Sequence, residues 1–226
     1  MALRSRTPAL LLPMRVWDFP TRAFHWLLVL ALPASWASMK LNLMDLHMAI
    51  GHAVLALLLF RWAWGFVGSD TARFGRFLVN PLRGLRHLRH LGRREPDTEI
   101  GHNAAGGWMV LAMLLLLSVQ VCAGLCANDG GGSEGPLAKY VGDTWSDRLS
   151  FVHEVTFNLI LAAVALHLVA VAAYAVLKRQ NLVRPMFTGK KRLPAAMRAP
   201  RMASPWLALA ILAVAGVLAW LLATRV

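Results

Sequence analysis

The stretch FVHEVTFNLILAAVALHLVAVAAYAVL, from Phe151 to Leu177, decides the fold. It is predominantly apolar and exceeds the ~20 residues that a helix needs to cross a hydrocarbon core ~30 Å thick. It nevertheless contains His153 and His167. An ionisable side chain inside such a span is costly enough to indicate a functional site. The stretch therefore predicts a transmembrane helix with two buried histidines that need partners.

Four further apolar runs accompany this stretch. Most of the five reach the length of a membrane span, so the chain is predicted to be an all-α integral membrane protein. Composition agrees, because 58% of the 226 residues are hydrophobic and the mean hydropathy is +0.53, which excludes a soluble globular protein. The other runs are Phe24 to Met39, Leu46 to Val67, Ala104 to Ala127 and Trp206 to Ala223.

The basic residues lie in blocks between the apolar runs. The net charge is +13, but no single basic stripe is present, so no nucleic-acid partner is expected. Nineteen Lys and Arg residues lie before the first run, between the second and third, and between the fourth and fifth, against four in the alternate segments. Positive charge is retained on the cytoplasmic side of a membrane. This asymmetry predicts a cytoplasmic N-terminus and an external C-terminus, with the acidic, Gly-rich segment from Asn128 to Arg148 as an external docking surface.

Depth sorts the buried histidines into two pairs. Fourteen residues of helix span ~21 Å and bring two side chains to within about 40° of one face, so His153 and His167 lie near opposite sides of the membrane. His25 begins the first run at the cytoplasmic depth of His167. His47 begins the second run at the outer depth of His153. Two pairs at two depths are predicted.

Haem iron explains paired histidines better than zinc does. Its axial ligands lie on opposite faces of a flat macrocycle, so two imidazoles from facing helices suit it. A structural zinc site needs about four ligands at one depth. Two histidines on one iron leave no open coordination position, which favours electron transfer over oxygen chemistry. The pattern predicts two haems b, whose axial iron ligands are His25, His47, His153 and His167.

Several other residues are candidates for the surroundings of a cofactor. Gly51, one turn from His47, leaves room for a macrocycle to approach the helix. Arg61 is a cation in the cytoplasmic half of the second helix that suits a haem propionate, although snorkelling to the headgroups explains it equally well. His52 lies about 140° around the helix from His47, and an interhelical hydrogen bond is predicted for it. His87, His90 and His102 need only solvated or headgroup roles.

At these residues the chain resembles the bacterial cytochrome b561 proteins and the related b-type cytochrome subunits of nickel-iron hydrogenases. The matching stretches are VWDFPTRAFHW (16–26), LHMAIG and LFRWAWGFVGS (46–69), GHNAAGGWMV (101–110), VHEVTFN and LHLVAVAAY (152–174) and KRQNLVRPMFTGKKR (178–192). The resemblance implies a four-helix transmembrane haem-binding bundle over residues 1–192, with a linker and an additional C-terminal transmembrane helix over 193–226. It also implies that His25 and His167 bind a cytoplasmic-side haem and that His47 and His153 bind an outer one.

The resemblance further implies a function in the bacterial inner membrane. Such proteins carry electrons between a quinone, such as ubiquinone, and an outer redox protein or small substrate. The partner would be a hydrogenase, a c-type cytochrome or a molecule such as superoxide. A quinone pocket is expected near His25, Arg22 and Arg61 on the cytoplasmic side. No catalytic base or nucleophile is predicted, and the chain is either an electron-transfer cytochrome or a subunit of an oxidoreductase.

Two other functions compete with electron transfer. A histidine-lined metal-ion or proton transporter would need intramembrane acids along its pathway, but the helices contain almost none apart from Glu154 near the outer boundary. A membrane anchor would use its histidines only as hydrogen-bond donors between helices. Four histidines at two matched depths favour the haem hypothesis over both.

Overall fold

The computed structural model describes residues 10–78, 99–128 and 130–225. Five long helices dominate this part of the chain, joined by short helices and by a two-stranded sheet. In chain order the elements are β1 (Leu11–Arg15), α1 (Phe19–Lys40), α2 (Met44–Val67), α3 (Phe74–Phe77), α4 (Ala104–Leu125), α5 (Ala138–Val141), α6 (Asp143–Leu177), α7 (Val183–Thr188), β2 (Lys190–Pro194) and α8 (Pro205–Arg225).

Polar residues cap the starts of α1 and α4. Asp18 caps α1 by accepting a 2.7 Å hydrogen bond from the Thr21 amide, so α1 begins at Phe19, ahead of the predicted run. Asn103 caps α4 in the same way through the Gly106 amide, also at 2.7 Å. Helix α6 begins at Asp143 and is 35 residues long. At ~1.5 Å per residue it exceeds the hydrocarbon thickness, so one end projects beyond the membrane core.

Four of the described helices are long and apolar enough to cross a membrane: α2, α4, α6 and α8. Helix α1 has a comparable length of 22 residues, but its hydropathy is lower because it carries Arg22, His25 and Lys40.

Helix α2 occupies the centre of the bundle, with α1, α4 and α8 packed directly against it and α6 packed against α4. Its Leu58, Phe60 and Trp64 are buried with Leu114 and Leu117 of α4. Helix α8 meets this core through small buried residues that let helix backbones approach closely in a membrane. These residues are Ala208, Ala215 and Ala219. The additional C-terminal helix is therefore part of the packed bundle.

A short antiparallel sheet is an element that the sequence analysis did not predict. Strand β1 pairs with β2, with Leu12 opposite Leu193. Buried Val16, Trp17 and Leu193 form a small apolar cluster beside it. Strand β2 includes residue 192, the predicted boundary between the haem-binding bundle and the C-terminal segment. That boundary stays a prediction.

Part of the orientation argument concerns residues outside the described ranges. Arg4 and Arg6 precede residue 10, and the loop with His87, His90 and five of its arginines falls between residues 79 and 98.

Candidate functional site

The histidine pair predicted at the outer side, called the outer pair below, joins α2 to α6. The ring centres of His47 and His153 are 6.2 Å apart, with their planes at 78°. Nδ1 of His47 donates to the carbonyl of Ser35 at 2.9 Å, and Nδ1 of His153 donates to the carbonyl of Gln120 at 2.8 Å. Because a carbonyl only accepts hydrogen bonds, both imidazoles carry their proton on Nδ1. Their Nε2 atoms therefore keep a free lone pair, the form in which histidine binds a metal.

Two glycines leave space at this outer pair. A Cβ on Gly124 would lie 2.8 Å from Cε1 of His153, so the ring occupies the volume that any other side chain would need. A Cβ on Gly51 would meet no atom within 4 Å, which shows open space one turn from His47.

The histidine pair predicted at the cytoplasmic side, called the cytoplasmic-side pair below, joins α1 to α6. The ring centres of His25 and His167 are 6.5 Å apart, with their planes at 59°. Nδ1 of His25 is buried and has no hydrogen-bond partner in the described part of the chain. Trp26, the next residue, stacks on Phe187 of α7 at 4.4 Å and connects this end of α1 to the segment after α6.

The helices that carry each pair do not pack tightly on one another. Neither α1 with α6 nor α2 with α6 is among the closely contacting helix pairs of residues 10–78, 99–128 and 130–225. The paired rings therefore face each other across gaps between helices. In the same ranges, no group of three or more His, Cys, Asp or Glu side chains is placed to hold a metal ion, so these histidines meet in twos.

Arg61 lies in the interior of the bundle, in the second half of α2. It is 2% exposed, and its guanidinium carbon lies 5.1 Å from the centre of the Phe74 ring, so it does not snorkel to the headgroups. Its Nη1 is buried without a hydrogen-bond partner among the described residues. Arg61 follows His47 by 14 residues, the spacing that separates His153 from His167. The same helical geometry therefore puts Arg61 on the His47 face of α2, at the depth of the cytoplasmic-side pair.

His102 is a residue for which the sequence analysis was wrong. Its ring packs between Trp17 and Phe77, with ring centres 4.6 and 4.9 Å away, instead of lying in solvent or among headgroups. Its Nδ1 is buried and has no partner among the described residues. Burial is the main cause that lowers the pKa of His102 to about 3, and the charge of Arg61 together with His167 and His25 lowers this pKa further. The ring is therefore neutral at pH 7. The Asn103 cap indicates that His102 lies just before the start of α4. No sequence signal identifies Trp17 and Phe77 as its neighbours.

Arg22 and His52 each have a hydrogen-bond partner among the described residues. Arg22 donates from Nη1 to the carbonyl of Phe187, while its Nε is buried without a partner among the described residues. Nδ1 of His52 bonds to the carbonyl of Met48 at 2.7 Å, within α2. The interhelical bond predicted for His52 is therefore wrong for this nitrogen.

The fold is that of a multi-pass helical membrane protein. The chain belongs to the prokaryotic cytochrome b561 family, whose sequence model matches residues 16–189. A relative from Rhizobium leguminosarum bv. viciae, a probable Ni/Fe-hydrogenase B-type cytochrome subunit, is 24% identical over 210 residues, which cover 78% of this chain and 87% of the relative. No solved structure matches the chain.

Family membership confirms the predicted resemblance and fold class. The chain is an all-α bundle with an additional C-terminal apolar helix, and it is a multi-pass bacterial membrane protein. The family also indicates b-type haem and a role in electron transfer.

Proposed function

We propose that this protein is a dihaem cytochrome that carries electrons across the bacterial inner membrane, between a quinone and a redox partner on the outer face. The observation that carries the proposal is the presence of two histidine pairs at two depths, with ring centres 6.2 and 6.5 Å apart. His47 and His153 would hold the outer haem, and His25 and His167 the cytoplasmic-side haem.

The distances within the pairs suit two imidazoles on one iron. A ligating imidazole nitrogen lies about 2 Å from a first-row metal, so two rings on opposite sides of one iron have centres roughly 6 Å apart. Helix α6 does not pack closely on α1 or α2, which supports a group held between these helices. Haem b held by the two histidine pairs would supply one-electron transfer at each depth.

Backbone carbonyls near the outer pair orient its two imidazole rings. The carbonyls of Ser35 and Gln120 hold the two imidazoles in one tautomer and restrict rotation of their rings. Gly124 gives the His153 ring its place, and the open space at Gly51 admits a bulky planar group beside His47.

The external partner would dock on the segment that precedes the apolar part of α6. Ser146 Oγ donates to the Cys126 carbonyl at 2.7 Å, and Ser150 Oγ donates to the Asn128 carbonyl at 2.7 Å, so this segment is held against the bundle. Tyr140 is 65% exposed beside it. The named relative favours a hydrogenase as partner, with a c-type cytochrome or a small substrate such as superoxide as the other candidates. This side is external if the N-terminus is cytoplasmic and the C-terminus periplasmic, as the charge asymmetry predicts.

The quinone, ubiquinone or another, would bind on the cytoplasmic side near His25, Arg22 and Arg61. The buried Arg22 Nε supports this location, because it is a donor without a partner among the described residues. A quinone carbonyl would accept a hydrogen bond from it.

The test is the absorption spectrum of the purified protein, oxidised and dithionite-reduced, together with its haem content from the pyridine haemochrome. We expect two haems b per polypeptide. His153→Ala and His25→Ala should each remove or perturb a different one, while the matched control His52→Ala retains both. Absence of haem under haem-sufficient expression would exclude the proposal and leave the transporter as the next hypothesis. Loss of the same haem in both variants would exclude the two-level arrangement.

A further inference from the structure

Two buried hydrogen-bond donors at the cytoplasmic side lack an acceptor. Arg61 Nη1 and His102 Nδ1 both lie out of contact with solvent and have no hydrogen-bond partner among the described residues. A buried polar group without a partner is costly, and a buried guanidinium especially so. A neutral imidazole can place its proton on Nδ1 and donate from there. These groups therefore require an acceptor that the described part of the chain does not supply.

A group of aromatic rings holds the two residues at one end of the bundle. Arg61 lies over Phe74, whose ring centre is 5.7 Å from that of Phe77, which in turn contacts His102. A Cβ on Gly65 would overlap the Phe74 ring, and one on Gly107 would lie 2.7 Å from the Phe77 carbonyl oxygen. Helix α3 is therefore seated closely between α2 and α4, and it keeps Arg61 and His102 in a defined arrangement.

The carboxylate of Asp18, which acts electrostatically on Arg61, already accepts two hydrogen bonds. Asp18 lies within electrostatic range of Arg61, but one of its oxygens accepts from the Thr21 amide at 2.7 Å and the other from the Trp64 indole at 3.0 Å. Within the described ranges, the one salt bridge joins Arg76 to Asp70. An anion from outside the protein would therefore satisfy Arg61 better than Asp18 does.

The same two donors lie close to the cytoplasmic-side histidines. His102 is within electrostatic range of Arg61, His25 and His167. Arg61 lies on the His47 face of α2 at the depth of that pair, as its 14-residue spacing shows. Both residues therefore lie in the same part of the bundle as the site between His25 and His167.

We propose that Arg61 and His102 form a carboxylate-binding pocket that holds the propionates of the haem between His25 and His167. The pocket rests on the proposed function, because it requires a haem at that pair. Both residues would bind the propionate edge of the haem, and neither would ligate its iron. A guanidinium and an imidazole N–H are suited to carboxylate through charge-assisted hydrogen bonds.

The test compares haem b with its dimethyl ester, in which both carboxylates are blocked. Detergent-purified apoprotein is reconstituted with either compound, and release of each bound molecule to an excess of a haem-binding acceptor protein is followed by absorbance. In the unmutated protein, we expect the ester to leave the cytoplasmic-side site about 10- to 100-fold faster than haem b, the factor expected for hydrogen bonds to a charged group. Equal release rates at that site would overturn the proposal without mutagenesis.

Variants then identify the residues. Arg61→Gln and His102→Phe should bring the ratio of ester to haem b release rates toward one, and Arg61→Lys should give an intermediate ratio. His52→Phe is the matched control, because it changes another histidine with a buried, unpartnered nitrogen and should keep the unmutated ratio. Retention of the outer haem shows that a variant is folded. Variants that keep the unmutated ratio would overturn the assignment, whereas failure of the unmutated protein to bind any haem would instead refute the proposed function.

Discussion

The two histidine pairs have nearly the same internal distance but different surroundings. At the outer pair, each Nδ1 donates to a backbone carbonyl, of Ser35 or of Gln120. At the cytoplasmic-side pair, His25 Nδ1 has no partner among the described residues, and the neighbourhood contains the buried cation Arg61. The backbone therefore orients the histidines of the outer site. The cytoplasmic-side site has buried polar atoms that no described residue satisfies, so the two sites should respond to different substitutions.

Removal of a histidine should have the largest effect. His47→Ala should abolish the outer haem and spare the other, while His167→Ala should do the reverse, because each substitution deletes one of two axial ligands. Haem content and the reduced-minus-oxidised spectrum of each variant measure this. If either variant lost both haems while remaining folded by circular dichroism, the sites would not be independent.

Crowding of the outer site should have the next largest effect. Gly124→Ala places a methyl group 2.8 Å from Cε1 of His153, so we expect a lower outer haem content and destabilisation of about 1–3 kcal/mol from overpacking. Thermal unfolding in detergent and haem stoichiometry are the measurements. Gly216→Ala on α8 is the control, since a Cβ there meets no atom within 4 Å. Equal behaviour of the two variants would contradict the close contact at Gly124.

Loss of the buried cation should change a potential without removing a haem. Arg61→Gln should lower the midpoint potential of the cytoplasmic-side haem by about 60 mV, a tenfold change for a one-electron couple, because a nearby positive charge favours the reduced state. Potentiometric titration followed by absorbance measures both haems. The outer haem serves as the internal reference. A shift in the midpoint potential of the outer haem alone would contradict the prediction that Arg61 lies at the depth of the cytoplasmic-side pair.

The smallest expected effect is on stability against pH. Since the folded protein lowers the pKa of His102 to about 3 and the unfolded chain has a value of about 6.5, the unfolded state binds more protons between these limits. His102 therefore reduces stability as pH falls through this window, by about 1–2 kcal/mol between pH 7 and pH 5. Thermal unfolding of wild type and His102→Phe at both pH values tests this. The wild type should lose more stability on acidification, and parallel losses would show that folding does not lower the pKa of His102.

Much of the site could be predicted because membrane helices are simple geometric objects. The 14 residues between His153 and His167 are enough to predict two depths on one face, and the structure brings His25 and His47 to those same partners. The ligand roles of these four histidines remain predictions. His102 was missed because its neighbours Trp17 and Phe77 are distant in sequence, and nothing local shows that they enclose it. The β1–β2 sheet was missed for the same reason, since it pairs residues 11–15 with residues 190–194.

The sequence by itself determined the class of protein, the membrane spans and the spacing of the histidines, because hydropathy and helical period act over neighbouring residues. Tertiary structure alone decided that α8 packs on α2, that backbone carbonyls orient the outer pair, and that Arg61 is buried over Phe74. These features depend on which faces of the helices meet. That choice is made by packing among small and aromatic side chains, which no single segment specifies.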